Sequence, residues 1–210
     1  MGKKWIKEHK KEHYYKNAKR HGYRARSAYK LIQINKKFNI FKNVYSLLDL
    51  GCAPGSWLQI SIDFISDNLK KTKKKIKPKI LGIDLKKITP INGVDFLQMD
   101  IHDKSLQMKL NEFFDNKKID LIISDCSIKK TGNKTLDQVS QIKICDRILE
   151  IAINLLKKNS FLILKCFEGS EVPKFLKSVK EKFHKVRKFI PEATRSRSNE
   201  IFLVCQSIFL

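Results

Sequence analysis

A chain of 210 residues is long enough to bury a core without disulfide or metal staples. Lys and Arg outnumber Asp and Glu by 44 to 21, and a net charge of +23 points to a polyanionic partner. No apolar run is long enough to span a bilayer and no apolar h-region opens the chain, which speaks against a membrane or secreted protein. The expectation is a soluble intracellular monomer, with cytoplasm, nucleolus or an organelle all compatible. Cys52, Cys126, Cys145, Cys166 and Cys205 form no C-x-x-C and no spaced His/Cys set, so reduced thiols are expected and a zinc site is not.

Only seven of the 44 basic residues are arginine. AT-rich codon usage would by itself place lysines wherever a solvated residue is tolerated, so the arginines carry more information. Arg24, Arg26, Arg195 and Arg197 lie within six residues of Lys30 or Glu200. Arginine forms bidentate phosphate contacts that lysine cannot, which makes these four the candidate nucleic-acid-binding residues.

Residues 4–39 read as two basic helical segments, the second placing Leu31, Ile34 and Phe38 on one face. Strand-like runs follow at 46–51, 79–84, 94–99, 119–124, 160–167, 185–190 and 200–206. Helix-like runs lie at 56–69, 104–115, 137–157 and 172–183. Asn68–Lys79 is a lysine-rich connector that reads as a solvated loop, although it could also touch RNA. Strands alternating with helices imply an α/β fold, a mostly parallel sheet with helices on both faces. The connection from Pro191 to Asn199 is too short for a parallel crossover, so the final strand is expected to pair antiparallel. No internal repeat or boundary interrupts residues 1–210, which predicts one domain: basic helices over 1–40 and a core over 45–210.

The most informative stretch is Ser46-Leu-Leu-Asp-Leu-Gly-Cys-Ala-Pro-Gly-Ser-Trp-Leu58. It reads as a strand, a glycine turn and a helix start. Gly51 and Gly55 would let backbone approach a ligand where a Cβ would clash. The helix beginning at Ser56 and Trp57 presents unpaired N–H groups there. The order is that of a nucleotide-type cofactor site but not the dinucleotide G-x-G-x-x-G. An ordinary βα turn with a packing Trp57 is the simpler alternative.

Ligands in open α/β sheets bind beyond the carboxyl ends of the strands. Asp84 ends one strand, where it would accept from both hydroxyls of a ribose or serve as a turn residue. Asp100 ends the next, where it would meet an adenine amino group or begin a turn. Asp125 follows the run 119–124 at the expected cofactor–substrate boundary. Lys165 lies inside Ser160-Phe-Leu-Ile-Leu-Lys-Cys-Phe167, an apolar strand where a lysine is rare unless paired. Glu200 opens the last apolar run and should face the same edge, and Lys30 stands on the second basic helix.

D-L-G-x-x-P-G-x-W resembles the first motif of S-adenosylmethionine (SAM) dependent methyltransferases, and its Pro-Gly-x-Trp ending resembles the FtsJ/RrmJ group of RNA ribose 2′-O-methyltransferases. Trp5–His9, Arg24–Leu31, Asn92–Asp100 and Ser196–Glu200 also look like motifs of that family. The resemblance implies a Rossmann-like methyltransferase sheet with an antiparallel final strand, and SAM as cofactor. It carries a Lys-Asp-Lys-Glu tetrad onto Lys30, Asp125, Lys165 and Glu200, and cofactor contacts onto Gly55, Trp57, Asp84, Asp100 and Asp125; the glycine turn and helix start add Gly51 and Ser56 as cofactor-binding candidates. Lys165 would be nearest the reacting hydroxyl, as base or as orienting group, positioned by Asp125 and Glu200. The family's usual Ala-Pro-Asn loop after the Asp is here Cys126-Ser-Ile-Lys-Lys-Thr-Gly132, a departure that bears on substrate choice.

The implied substrate is RNA, with large-subunit ribosomal RNA or the subunit itself first and transfer RNA second. Three other classes stand beside it. A dinucleotide oxidoreductase is disfavoured by the glycine turn. A non-catalytic basic RNA-binding module would have no reason to keep Lys165 in an apolar strand. A methyltransferase for protein or small molecules would not need the arginine clusters.

Overall fold

The computed structural model describes residues 13–128, 131–195 and 198–209. Trp5–His9 and Arg197 lie outside the described residues. A helix runs through residues 13–20 (α1). There follow Ala28–Phe38 (α2), Ser46–Leu50 (β1), Ser56–Thr72 (α3), Lys79–Asp84 (β2), Asp95–Gln98 (β3) and Leu106–Phe113 (α4). The chain continues with Ile119–Ser124 (β4), Lys134–Leu155 (α5), Leu156–Phe167 (β5), Val172–Lys180 (α6), Phe183–Phe189 (β6) and Glu200–Ile208 (β7).

The strands form one sheet in the order β3-β2-β1-β4-β5-β7-β6. The pairs from β3 to β5 are parallel. β7 lies between β5 and β6 and is antiparallel to both, as the short connection requires. Alternation along each central strand divides the core. Leu47, Leu121, Ile123 and Ile163 pack beneath α2 and α3, with Leu31, Ile34, Leu58 and Ile65. Leu48, Leu50, Ile122, Leu162 and Leu164 pack on the other face against α4, α5 and α6. Both faces of a largely parallel sheet are thereby covered, which is why these strands read as nearly continuous apolar runs.

Several boundaries differ from the sequence expectation, and two of them carry a physical reason. β5 begins at Leu156, not at 160. Its exposed start, Lys157–Asn159, is polar, and Lys157 Nζ is tied to Asp120 Oδ1 on β4 at 2.5 Å. α3 continues through Asn68–Thr72, so the lysine-rich connector shrinks to residues 73–78. Asn68 Nδ2 donates to Phe41 O at 2.8 Å and Leu69 packs on the core, which holds this end of the helix down.

Candidate active site

β1, β4 and β5 are neighbours, and their carboxyl ends bring Asp49, Asp125 and Lys165 to one edge. The turn after β1 needs its glycines for conformation: Gly51 has φ +75° and Gly55 has φ +103°, where L side chains are strained. A Cβ on Gly51 would meet Cys126 Sγ at 2.2 Å, and one on Gly55 would meet an Arg24 guanidinium nitrogen at 2.7 Å. The protein's own groups thus lie where a Cβ would stand at both positions. Two bonds dock the start of α2 on the start of α3. Trp57 Nε1 donates to Ser27 O at 2.8 Å, and the Ser27 and Ser56 hydroxyls lie 2.9 Å apart. Trp57 is buried against Phe202, with ring centroids 5.7 Å apart, and Lys30 Nζ lies 5.5 Å from the centroid of Phe202.

A small open recess lies here, lined by Ser27, Asp49, Gly51, Cys52, Ala53, Ser56, Trp57 and Asp125. Asp49 is the residue that the sequence reading missed. It is 1% exposed, and neither of its carboxylate oxygens has a hydrogen-bond partner among the described residues. Burial, and then the charges of Asp125 and Asp84, push its pKa well above the usual carboxylate range. A charge in the apolar run Leu47-Leu48-Asp49-Leu50 was the available signal, the same one that marks Lys165.

Asp84 stands at the end of β2. Its Oδ2 accepts from Ala53 N and its Oδ1 from Lys86 N, each at 2.9 Å. Each oxygen retains a second lone pair for a ligand hydroxyl. Asp100 is exposed beyond β3, and its Oδ1 accepts from His102 N at 2.9 Å, a turn bond.

Lys30, Asp125, Lys165 and Glu200 converge from α2, the end of β4, β5 and the start of β7. Lys165 Nζ donates to Asp125 Oδ1 at 2.8 Å and also to the Asp125 carbonyl. Lys30 Nζ lies 2.6 Å from Glu200 Oε1 and 3.7 Å from Asp125 Oδ1. Glu200 therefore pairs with Lys30, where the sequence expectation set it against Lys165. Burial opposes ionisation of Glu200, yet Lys30 beside it and Lys165 nearby hold its carboxyl below the usual range. Burial pushes the Cys126 thiol up to about 12, which makes it a packing group against Gly51 rather than a nucleophile.

The arginines divide into two groups. Arg24 donates to Pro54 O and Pro90 O, each at 3.0 Å, and so clamps the glycine turn to the loop after β2. Arg26 donates to Ala193 O at 2.6 Å, while its other terminal nitrogen is buried without a partner among the described residues. Burial, and then the neighbouring charge of Arg195, depress its pKa.

A mostly parallel sheet with an inserted antiparallel strand, a glycine turn after β1 and a carboxylate-lined recess define an α/β protein of the methyltransferase class. The comparisons with known proteins agree. Residues 23–208 match the family model described as FtsJ-like methyltransferase. Ribosomal RNA large subunit methyltransferase E of Francisella philomiragia is 36% identical over 202 residues, covering 96% of this chain and 94% of that protein. The protein of the same name from Francisella tularensis subsp. novicida gives the same identity and coverage. A crystal structure from Plasmodium falciparum, described as that of a ribosomal RNA methyltransferase, is 33% identical with a TM-score of 0.75. It covers 89% of this chain and 98% of its own. Human methyltransferase-like protein 13, in complex with SAH, is only 15% identical and shares the fold at a TM-score of 0.53, over 86% of this chain and 79% of its own.

The chain belongs to the FtsJ-like methyltransferase family, whose cofactor is SAM. The recess suits that group on its own chemistry. A buried carboxylate without a partner, with two more carboxylates near it, favours a ligand that carries positive charge. A sulfonium and an amino-acid ammonium are charges of that sign.

Proposed function

We propose that this protein transfers the methyl group of SAM to the 2′-hydroxyl of a ribose in RNA, and that its substrate is large-subunit ribosomal RNA. The observation that carries the reading is the pairing of Lys165 with Asp125 and of Lys30 with Glu200 beside the carboxylate-lined recess. The names of the curated relatives support ribosomal RNA as the substrate class. When bound, SAM supplies an electrophilic methyl group. The protein has to hold the acceptor oxygen in line and manage its proton.

Asp49 and Asp125 would hold the cationic part of the cofactor, Asp84 its ribose hydroxyls and Asp100 its adenine edge. Gly51, Gly55, Ser56 and Trp57 shape the floor and the helix start. Lys165 would stand nearest the acceptor hydroxyl, with Asp125 fixing its amine through two bonds. Glu200 would keep Lys30 beside Asp125, so that the two lysines flank one carboxylate.

Asp84→Ala should weaken SAM binding by about 1.5–3 kcal/mol, the range for hydrogen bonds to a charged group. Isothermal titration checks this, and unchanged affinity removes Asp84 from the site. Arg26 and Arg195 would form the seat for RNA phosphate, since two neighbouring guanidinium charges, that of Arg195 exposed, suit an anion. Replacing both by Ala should weaken RNA binding and flatten the plot of log K against log salt by about 0.7 per lost phosphate contact on single strands. An unaltered slope would mean that the lysine surface holds the RNA.

Mapping of 2′-O-methyl sites in RNA from cells with and without this protein tests the substrate. The expected result is one or a few positions lost from large-subunit ribosomal RNA. Loss from transfer RNA alone would move the assignment there.

A further inference from the structure

β4 and β5 pair in parallel only as far as Ser124 and Leu164. Asp125 and Lys165 are the next residues along, one step beyond the last backbone rung. Gln141, from α5, reaches into this gap and is 1% exposed. Its Nε2 donates to Cys126 O at 3.2 Å and to Lys165 O at 3.3 Å, while its Oε1 accepts from Ile128 N at 3.2 Å. Both donors of the primary amide and its acceptor are engaged. One helical turn on, Cys145 Sγ donates to the same Lys165 carbonyl at 3.4 Å.

We propose that Gln141 is a positioning residue for methyl transfer, its side-chain amide serving as one extra rung of the β4–β5 ladder that fixes where Lys165 meets Asp125. The inference rests on the proposed function above. A lysine side chain is a flexible four-carbon stem, so the place of its amine depends on its backbone and on its anchor. Gln141 ties down both: Lys165 through its own carbonyl, and the anchor Asp125 through the residue that follows it. Beyond a helix's own bonds, a buried amide at this position is favourable only if all its hydrogen bonds are made, since an unpaired one carries a desolvation cost. A leucine would bury more apolar surface. The loop that Gln141 holds through Cys126 and Ile128 is also the segment where the sequence departs from the Ala-Pro-Asn pattern that the family resemblance implies.

Gln141→Met keeps the side-chain volume and removes all three bonds. With full-length protein, kcat at saturating SAM and RNA should fall on the order of 10- to 100-fold, as for a modest misplacement of a reacting group. SAM affinity should fall far less than kcat, because Gln141 does not line the recess and Asp125 is the one lining residue next to the loop that it holds. In a crystal structure of the variant, the Lys165–Asp125 contact of 2.8 Å should open beyond about 4 Å, the limit of an ion pair. Gln141→Glu adds a readout that loss of stability alone would not move. Burial raises a carboxyl pKa, and the protonated form regains one donor and the acceptor. The ratio of variant to wild-type kcat should therefore rise as pH falls. If Gln141→Met fails to fold, the glutamate variant supplies the same comparisons. A lower melting temperature with unchanged kcat and an unchanged Lys165–Asp125 contact would reduce Gln141 to a structural residue and overturn the proposal. A wild type that methylates no RNA would instead overturn the proposed function, and the crystallographic distance would still decide the role of Gln141.

Discussion

Lys165→Ala should lower methyl transfer by at least ~10²-fold, the lower end for a positioned proton-transfer group, while leaving SAM affinity nearly intact. Lys165 is 5% exposed in an apolar strand, and its amine is held by both the carboxylate and the carbonyl of Asp125. The proposed adenosine contacts come from other strand ends, Asp84 and Asp100, so cofactor binding does not depend on it. Lys165→Arg should not restore the rate, because a guanidinium cannot deprotonate the hydroxyl and its planar fork has a different shape. Glu200→Ala should cost less, since Glu200 acts through Lys30 at 2.6 Å. Single-turnover rates at saturating SAM and RNA separate these variants. A Lys165→Ala rate within a few-fold of wild type would make Lys165 a buried structural cation and nothing more.

Asp49→Asn should move two quantities in opposite directions. Cofactor affinity should fall by about 2–3 kcal/mol, roughly 30- to 150-fold, as a charged hydrogen-bond acceptor is lost. The ligand-free protein should become more stable at pH 7, because an isosteric neutral amide replaces a buried carboxylate that has no partner and two acidic neighbours. The pH dependence follows from the direction of the shift. The folded pKa lies above the ordinary value of 3.8, so the folded state binds the proton more tightly than the unfolded chain does. The stability from that proton is complete below the ordinary value and is lost as pH rises through the folded one. The advantage of asparagine should therefore grow as pH rises and be smallest near pH 4. Melting curves across pH and SAM titrations give both numbers. Equal SAM affinity in the two proteins would remove Asp49 from the site, and a variant less stable than wild type at pH 7 would reveal a favourable partner for the carboxylate.

The parallel strands β1 to β5 were legible because a sheet buried on both faces writes itself as apolar runs separated by amphipathic helices. The antiparallel β7 followed from the length of one connection. The start of β5 was not legible, because Lys157–Asn159 are polar and are held by an ion pair to β4 rather than by burial. Lys165 stood out as a charge in an apolar strand. Asp49 obeys the same rule, yet inside D-L-G it looks like part of the turn motif. The pairing of Glu200 with Lys30 depends on how far each side chain reaches across β5, β7 and α2, which spacing along the chain does not encode. Arg24 and Arg26 are two residues apart and look alike in sequence. The fold sends one to the glycine turn and the other to Ala193 and Arg195. Gln141 carries no signal of its own in α5, because its role exists only where the β4–β5 ladder ends.

Alkaline hydrolysis of RNA methylated by the purified protein gives the most direct test of ribose 2′-O-methyl transfer. Large-subunit ribosomal RNA from cells lacking the protein is incubated with SAM labelled in its methyl group, and the product is digested to completion with alkali. Cleavage needs a free 2′-hydroxyl, so a 2′-O-methyl group protects its own phosphodiester. Label recovered in alkali-resistant dinucleotides, and lost with Lys165→Ala, is the expected result. Label released in mononucleotides would mean a methylated base, and label that survives ribonuclease in a protein fraction would mean a different substrate altogether.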